Sequence, residues 1–242
     1  MKADTSSAIL KLTGLSRIRS ERTIGPDEGI EDTRTIDSYI TVNRQLPSKM
    51  LYRLALRRLK DLQPCGTLAD LGCGPGFFTG DMAKAFPALK IAALDISAEM
   101  LSRAGKHFSS HIRSREIHRT QGDLQQLPFK ESSLDFIVST LSLHHWVNPA
   151  EAFSEIYRVL KPEGQFLIFD TRRDSPGFFY RGLRCMQRWI YPAHLNKINE
   201  PISSVSASYT PEEAGKLAGH TPFTELNVTG GLCWLFITGR KP

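Results

Sequence analysis

The chain has 242 residues, 40% of them apolar and 23% charged, and a net charge of +6 from 31 Lys+Arg against 25 Asp+Glu. That size fits one large α/β domain with an appendage, and no apolar run approaches the roughly 18 residues of a membrane span. The stretch Met1 to Leu15 lacks the apolar segment of a secretory signal, and Cys65, Cys73, Cys185 and Cys233 form no Cys-x-x-Cys pair, so no zinc or other metal site is expected and the thiols should be free in the cytoplasm.

Residues 1–32 are polar, carry a Gly25-Pro26 turn signal and are expected to form a flexible N-terminal arm, with 33–242 a single domain. From Pro47 to Leu62 the period is helical: Leu51, Leu54, Ala55, Leu59 and Leu62 share one face, and Arg53, Arg57 and Lys60 the other. Strands are then expected at 67–71, 90–95, 115–120, 134–140 and 164–170, alternating with helices at 76–86, 97–109 and 149–160. Apolar strands alternating with helices imply a parallel sheet covered on both faces. The alternation breaks between 171 and 209. Thr210-Pro211-Glu212-Glu213 is a capping-box pattern that should open a helix, and strands at 223–228 and 232–238, joined at Gly230-Gly231, should close as an antiparallel hairpin.

The stretch Leu68-Ala69-Asp70-Leu71-Gly72-Cys73-Gly74-Pro75-Gly76-Phe77-Phe78 reads as a strand ending in a carboxylate, three glycines at alternate positions, and a helix start. Such a turn lets the backbone approach a ligand closely. A dinucleotide fold would place its third glycine where Phe77 stands, and a phosphate-binding P-loop would follow with Lys-Ser or Lys-Thr, which is absent. The turn therefore suits a nucleoside without a pyrophosphate. Ala93-Leu94-Asp95-Ile96-Ser97 ends the second strand in a carboxylate that can accept both hydroxyls of a ribose. Gly122-Asp123-Leu124 follows the third strand and can meet an adenine edge, and Arg158 to Gly164 leads from a helix into the fifth strand. Each aspartate also has a plainer role as a strand-end turn residue, Gly-Asp being a common turn pair. Cys73 fits the turn as a small residue rather than as a nucleophile.

Together these motifs resemble those of the class I methyltransferases dependent on S-adenosylmethionine, in the small-molecule branch of the UbiE-type quinone and sterol methyltransferases. The resemblance covers 65–170 and extends more weakly through Tyr209 to Glu213 and the closing hairpin. It implies a Rossmann-like, seven-stranded, mostly parallel sheet with a C-terminal antiparallel hairpin, helices on both faces and a helical cap. The cap would be 33–64 and 171–209, and the core 65–170 and 210–242. The implied cofactor is S-adenosylmethionine, with S-adenosylhomocysteine as product. Asp70, Gly72, Cys73, Gly74 and Gly76 would line the methionine moiety, Asp95 would hold the ribose, Ile96 would pack on adenine, and Asp123 and Leu124 would bind its edge. Ser139 and Thr140, continuing to Leu143 and His144, would lie beside the sulfonium. The family usually has Lys-Pro-Gly-Gly where this chain has Lys161-Pro162-Glu163-Gly164.

The implied reaction is in-line displacement of the methyl group by a small, apolar or aromatic acceptor, for which the protein mainly aligns the partners and excludes water. A base is needed only where the acceptor must lose a proton early. Candidates are His144, His145, Tyr39, His194 and Tyr209. His144 and His145, adjacent on an extended segment, should point opposite ways and not chelate one ion.

Charge is uneven. Residues 1–64 carry +4, 65–170 carry −2, 171–199 carry +5 and 200–242 carry −1. Within 171–199, Phe179, Leu183, Met186 and Ile190 share one helical face, and Arg181, Arg184 and Arg188 the opposite one. The segment 178–191 suits a lid with its arginines in water, or a peripheral membrane contact. Two further alternatives are an RNA methyltransferase gripping phosphates with the basic segments, and a non-catalytic cofactor-binding partner subunit. No RNA-binding module is evident and +6 is modest for that task, so nucleic acid is not the expected partner. The sequence leaves the oligomeric state open.

Overall fold

The computed structural model describes residues 17, 20–23, 33–44, 46–111 and 117–242. Seven strands form one sheet: β1 (Thr67–Leu71), β2 (Lys90–Asp95), β3 (Ile117–Gln121), β4 (Leu134–Thr140), β5 (Leu160–Thr171), β6 (Thr224–Gly230) and β7 (Trp234–Arg240), in the order β3-β2-β1-β4-β5-β7-β6. The first five are parallel; β7 runs antiparallel to β5, and β6 antiparallel to β7. The expected alternation and closing hairpin are both present. Strand order reverses between β1 and β4, and in such sheets the ligand crevice lies outside the strands' carboxyl ends at that point.

Helices α1 (Thr33–Asn43), α2 (Leu46–Asp61), α3 (Phe77–Ala85), α4 (Ala98–His111) and α5 (Pro149–Val159) are followed by α6 (Gly177–Trp189), α7 (Ala193–Lys197), α8 (Ile202–Ala207) and α9 (Pro211–Gly219). The sheet is apolar on both faces because alternate residues of each central strand enter different cores. Phe136 and Val138 of β4 pack with Ala55, Leu59, Phe78 and Met82 of α2 and α3. Ile137 packs with Phe153, Ile156 and Ala214 of α5 and α9. In β5, Leu167 and Phe169 face the first group, and Phe166 and Ile168 the second.

The helical face expected in 47–62 is the buried one, with Tyr52 added to it; the Tyr52 hydroxyl donates to Asn43 Oδ1 at 3.1 Å and so ties α2 to α1. α9 opens with the expected capping box, Thr210 Oγ1 accepting from Glu213 N while the Glu213 carboxylate accepts from Thr210 N.

β5 begins four residues before its expected start. Leu160 pairs with Leu134 and Gln165 with Phe136, so the segment between them bulges out of the ladder. Glu163 sits in that bulge at φ +63°, the left-handed conformation for which glycine is the usual residue. β3 is described from Ile117, and residues 115 and 116 of the expected third strand lie outside the described residues.

The 171–209 segment forms three helices with a small core of their own, in which Tyr180 and Leu183 of α6 meet Val205 of α8, flanked by Phe179 and Ile202. Ile190, expected on the apolar face of α6, lies beyond the end of the helix and is exposed. Of residues 1–32, those described lie against this cap: Thr23 N donates to Ser206 O, and the Arg17 guanidinium to Asp174 O and Gly231 O.

Candidate active site

The turn after β1 is pinned to β2, since the amides of Gly72 and Cys73 both donate to Leu94 O, at 2.8 and 2.9 Å. Gly72, Gly74 and Gly76 all have positive φ. A Cβ on Gly72 would strike Ser142, and one on Gly76 would stand 2.6 Å from the Phe108 ring. Those two glycines admit neighbouring protein. Gly74 differs: at φ +53° nothing lies within 4 Å of where its Cβ would stand. Of the three, Gly74 is the one that leaves open space where a side chain would stand.

Two carboxylates flank this opening. Asp70, fully buried near the end of β1, accepts from Thr79 Oγ1 at 2.6 Å through Oδ2, while its Oδ1 has no hydrogen-bond partner among the described residues. Burial pushes its carboxyl up to about 7, Thr79 opposes this, and the nearby Asp95 adds to it. A buried carboxylate oxygen of this kind calls for a hydrogen-bond donor that the described residues do not supply. Asp95, the last residue of β2, accepts from Gly74 N at 2.7 Å and from Ser97 N at 2.9 Å. Burial raises its carboxyl, and these amides hold it down in part. Each oxygen keeps a further acceptor site, since a carboxylate offers about four lone-pair sites in all. Beside it the apolar side chain of Ile96 is 53% exposed.

The other expected cofactor contacts are engaged locally. Cys73 is buried against Ala93, Leu101 and Phe108, and burial together with Asp70 and Asp95 pushes its thiol up, so it packs as a neutral small residue. Asp123 is exposed and caps its own turn, accepting from Gln125 N at 2.9 Å. Leu124 packs against the sheet core. Ser139 Oγ donates to Leu71 O at 2.8 Å and clamps β4 to β1, and Thr140 is the buried last residue of β4.

After β4 the chain turns sharply. Leu141 takes φ +54°, with its amide donating to Phe169 O, and Leu143–His145 form a 3-10 turn. That turn brings His144 over the end of β5. There its backbone amide donates to Asp170 Oδ2 at 2.9 Å, and its ring Nδ1 lies 2.9 Å from both Asp170 oxygens. Both residues are buried. Burial alone would lower the His144 pKa; the Asp170 carboxylate overrides it and holds the pKa above the usual histidine value. Asp170 thereby favours the proton on Nδ1.

The His144 and His145 rings lie 4.1 Å apart, because the segment is a 3-10 turn rather than the extended strand expected. His145 is accessible, and its crowded surroundings and the neighbouring His144 push its pKa down. Among the described residues no group of three or more His, Cys, Asp or Glu is arranged to hold a metal. Tyr39, on α1, is pushed up to about 12 by burial, with Glu200 and Asp95 adding to the shift, so its phenol can donate a hydrogen bond but does not suit a base. Tyr209 is buried beneath the Arg22 guanidinium, 4.2 Å from the ring centroid, and burial raises it too. The side chain of His194 lies outside the described residues.

Two features escaped the sequence reading. Asp170 was legible: Phe169-Asp170-Thr171 repeats the strand-end carboxylate of Asp70 and Asp95. Arg22 was not. It donates to Ala207 O at 2.6 Å and to His144 O at 3.3 Å, linking α8 to the histidine turn, from a segment whose composition suggests only a solvated arm.

Comparison with known proteins places these features in context. Residues 69–168 match the methyltransferase domain family. Over 154 residues, 62% of the chain, it is 34% identical to the biotin biosynthesis bifunctional protein BioHC of Teredinibacter turnerae, covering 26% of that protein. It is 30% identical to the malonyl-[acyl-carrier protein] O-methyltransferase of a Marinomonas species, over 57% of the chain and 48% of the relative. It is 35% identical to the demethylmenaquinone methyltransferase of Lactobacillus johnsonii, over 44% of each protein. The chain spans less than half the length of these relatives.

Among solved structures it resembles a SAM-dependent methyltransferase from Aquifex aeolicus, with a TM-score of 0.64 at 18% identity over 87% of this chain and 99% of that one. It also resembles the Haemonchus contortus phosphoethanolamine N-methyltransferase 2 in complex with S-adenosyl-L-methionine, with a TM-score of 0.59 at 19% identity over 78% and 52%. The fold is that of the class I methyltransferases. The match to the methyltransferase domain family and this sheet order agree over residues 69–168.

Proposed function

We propose that this chain transfers a methyl group from S-adenosylmethionine to a small, apolar or aromatic acceptor, with His144 receiving the acceptor's proton. The observation that carries this reading is the open space over Gly74, bounded by the unpartnered Asp70 Oδ1 and by Asp95. These residues fit the cofactor: Asp70 offers a carboxylate to its ammonium group, Asp95 accepts from its ribose, and exposed Ile96 covers its adenine. When bound, the cofactor supplies a methyl group already activated on a sulfonium. The chain's own residues then orient the acceptor, and His144, held by Asp170, takes up the proton at Nε2. A base paired with a carboxylate is useful for an acceptor that must shed a proton, such as a hydroxyl. Two relatives are named for demethylmenaquinone and for malonyl-acyl carrier protein, which supports a search that begins with such acceptors.

The test is calorimetric titration with S-adenosylmethionine and S-adenosylhomocysteine, with NAD as control, followed by transfer assays on quinols, sterols and phenols. Micromolar binding of the first two and none of NAD is expected. Gly74→Ala should lose that binding, because its Cβ would enter the open space, at a folding cost of about 1–2 kcal/mol for a side chain in the left-handed region. No binding of either would overturn the assignment; binding without transfer across the panel would leave a cofactor-binding subunit.

A further inference from the structure

The two sides of α6 have different surroundings. Tyr180 and Leu183 point inward against Val205 of α8. The outward side presents Phe178, Arg181, Arg184, Cys185, Arg188 and Trp189, all exposed and none acidic. The nearby Arg172 and Arg173 are neutralised by Asp174 and Glu213. Arg181, Arg184 and Arg188, by contrast, form no ion pair with any described carboxylate. Arg188 lies over the Trp189 ring at 5.7 Å, and Trp189 is 76% exposed, followed by exposed Ile190. Three cations with no described acidic partner, interleaved with an exposed indole, phenyl and isoleucyl side chain, give this face the composition of an interfacial helix. Between α6, α8 and Ser20, a cavity of about 380 Å³ opens, floored by Tyr180 and Ile202 and rimmed by Arg181 and Arg184.

We propose that the outward face of α6, with this cavity, docks on an anionic lipid bilayer. The arginines meet the headgroup phosphates, the cavity seats one headgroup between Arg181 and Arg184, and Phe178, Trp189 and Ile190 enter the interface. A bilayer fits better than an acidic protein because the apolar side chains are scattered among the cations instead of lining a groove. The docking is peripheral: no helix among the described residues is long and apolar enough to cross a membrane. It also has a consequence for the site. α8, on which α6 rests, packs against the turn that carries His144, so the lipid-facing helix is one helix away from the proposed base.

The experiment is co-sedimentation with vesicles of phosphatidylglycerol or of phosphatidylcholine, at low and high salt. Binding to phosphatidylglycerol alone, released by salt, is expected. The triple variant Arg181→Gln, Arg184→Gln, Arg188→Gln should reduce partitioning on the order of 100-fold, since each basic residue contributes separately near an anionic surface. Trp189→Ser should reduce it further. Melting temperature and S-adenosylmethionine affinity are the controls: both should be unchanged in the variants, which separates failure of docking from failure of the cofactor assignment. Absence of binding to phosphatidylglycerol, equal binding to phosphatidylcholine, or undiminished binding of the triple variant would overturn the proposal. Capture of poly-glutamate without vesicle binding would overturn it in favour of an acidic protein.

Discussion

Asp95 serves two purposes with one carboxylate. It holds the Gly74 amide at 2.7 Å, fixing the shape of the turn, and it presents its remaining lone pairs to the opening. Asp95→Ala should therefore weaken S-adenosylmethionine binding by about 1–3 kcal/mol, the worth of charge-assisted hydrogen bonds, read by calorimetry. Unchanged affinity would place the ribose elsewhere. His144 and Asp170 form the second such unit, and their coupling has a sign. Asp170 raises the His144 pKa above 6.5, so a neutral base becomes available only as pH rises above that value, and kcat/KM should climb there. In Asp170→Asn the burial effect is left without its opposing charge, and the climb should move below 6.5. An unmoved profile would remove His144 from proton transfer. The same shift bears on stability: the protonated pair supports the fold fully below about pH 6.5, and the support is lost as pH rises through the folded-state value.

At the scale of elements, the Lys161–Gly164 bulge shows a local rule broken without visible return. Glu163 occupies the left-handed region, and its one side-chain partner is an exposed ion pair with Arg240 at 3.3 Å, which is worth little. A side chain in that conformation costs about 1–2 kcal/mol, while glycine would give back about 0.5–1 kcal/mol through the freedom of the unfolded chain. Glu163→Gly should thus stabilise by about 0.5–1 kcal/mol and raise the melting temperature by roughly 2 °C in a domain of this size. A fall would mean that the Arg240 contact holds the β5–β7 pairing more firmly than its exposure suggests. The bulge also shows why strand boundaries were harder to read than strands. Phe166 to Phe169 announce themselves by being apolar at every position, as a strand buried on both faces must be, whereas the pairing of Leu160 with Leu134 depends on a partner that is distant in the chain.

Across the whole molecule, legibility follows the range of the interactions. Asp70, the alternate glycines, Asp95 and the Thr210 capping box are set by neighbours in sequence, and the structure has them where the pattern put them. The cap is set by contacts spanning many residues, such as Arg22 to His144 and Arg173 to Ser20, and no local period encodes these. Arg173 is the sharpest case. Its buried guanidinium donates to Ser20 O at 2.8 Å and Ser208 O at 2.9 Å and pairs with Glu213, joining the N-terminal segment, the cap and α9 at one point. Arg173→Ala removes these bonds together and leaves the Ser208 carbonyl without its donor, a loss on the order of 3 kcal/mol. The loss should fall unevenly. The 171–209 part of the cap has its own small core, separate from the sheet's, so amide hydrogen exchange should quicken in α8 and the first turn of α9 while β1, β2 and β4 keep their protection. Quickening throughout the sheet would instead show that cap and core open as one cooperative unit, and the Arg173 clasp would then belong to the global stability of the fold rather than to the motion of its lid.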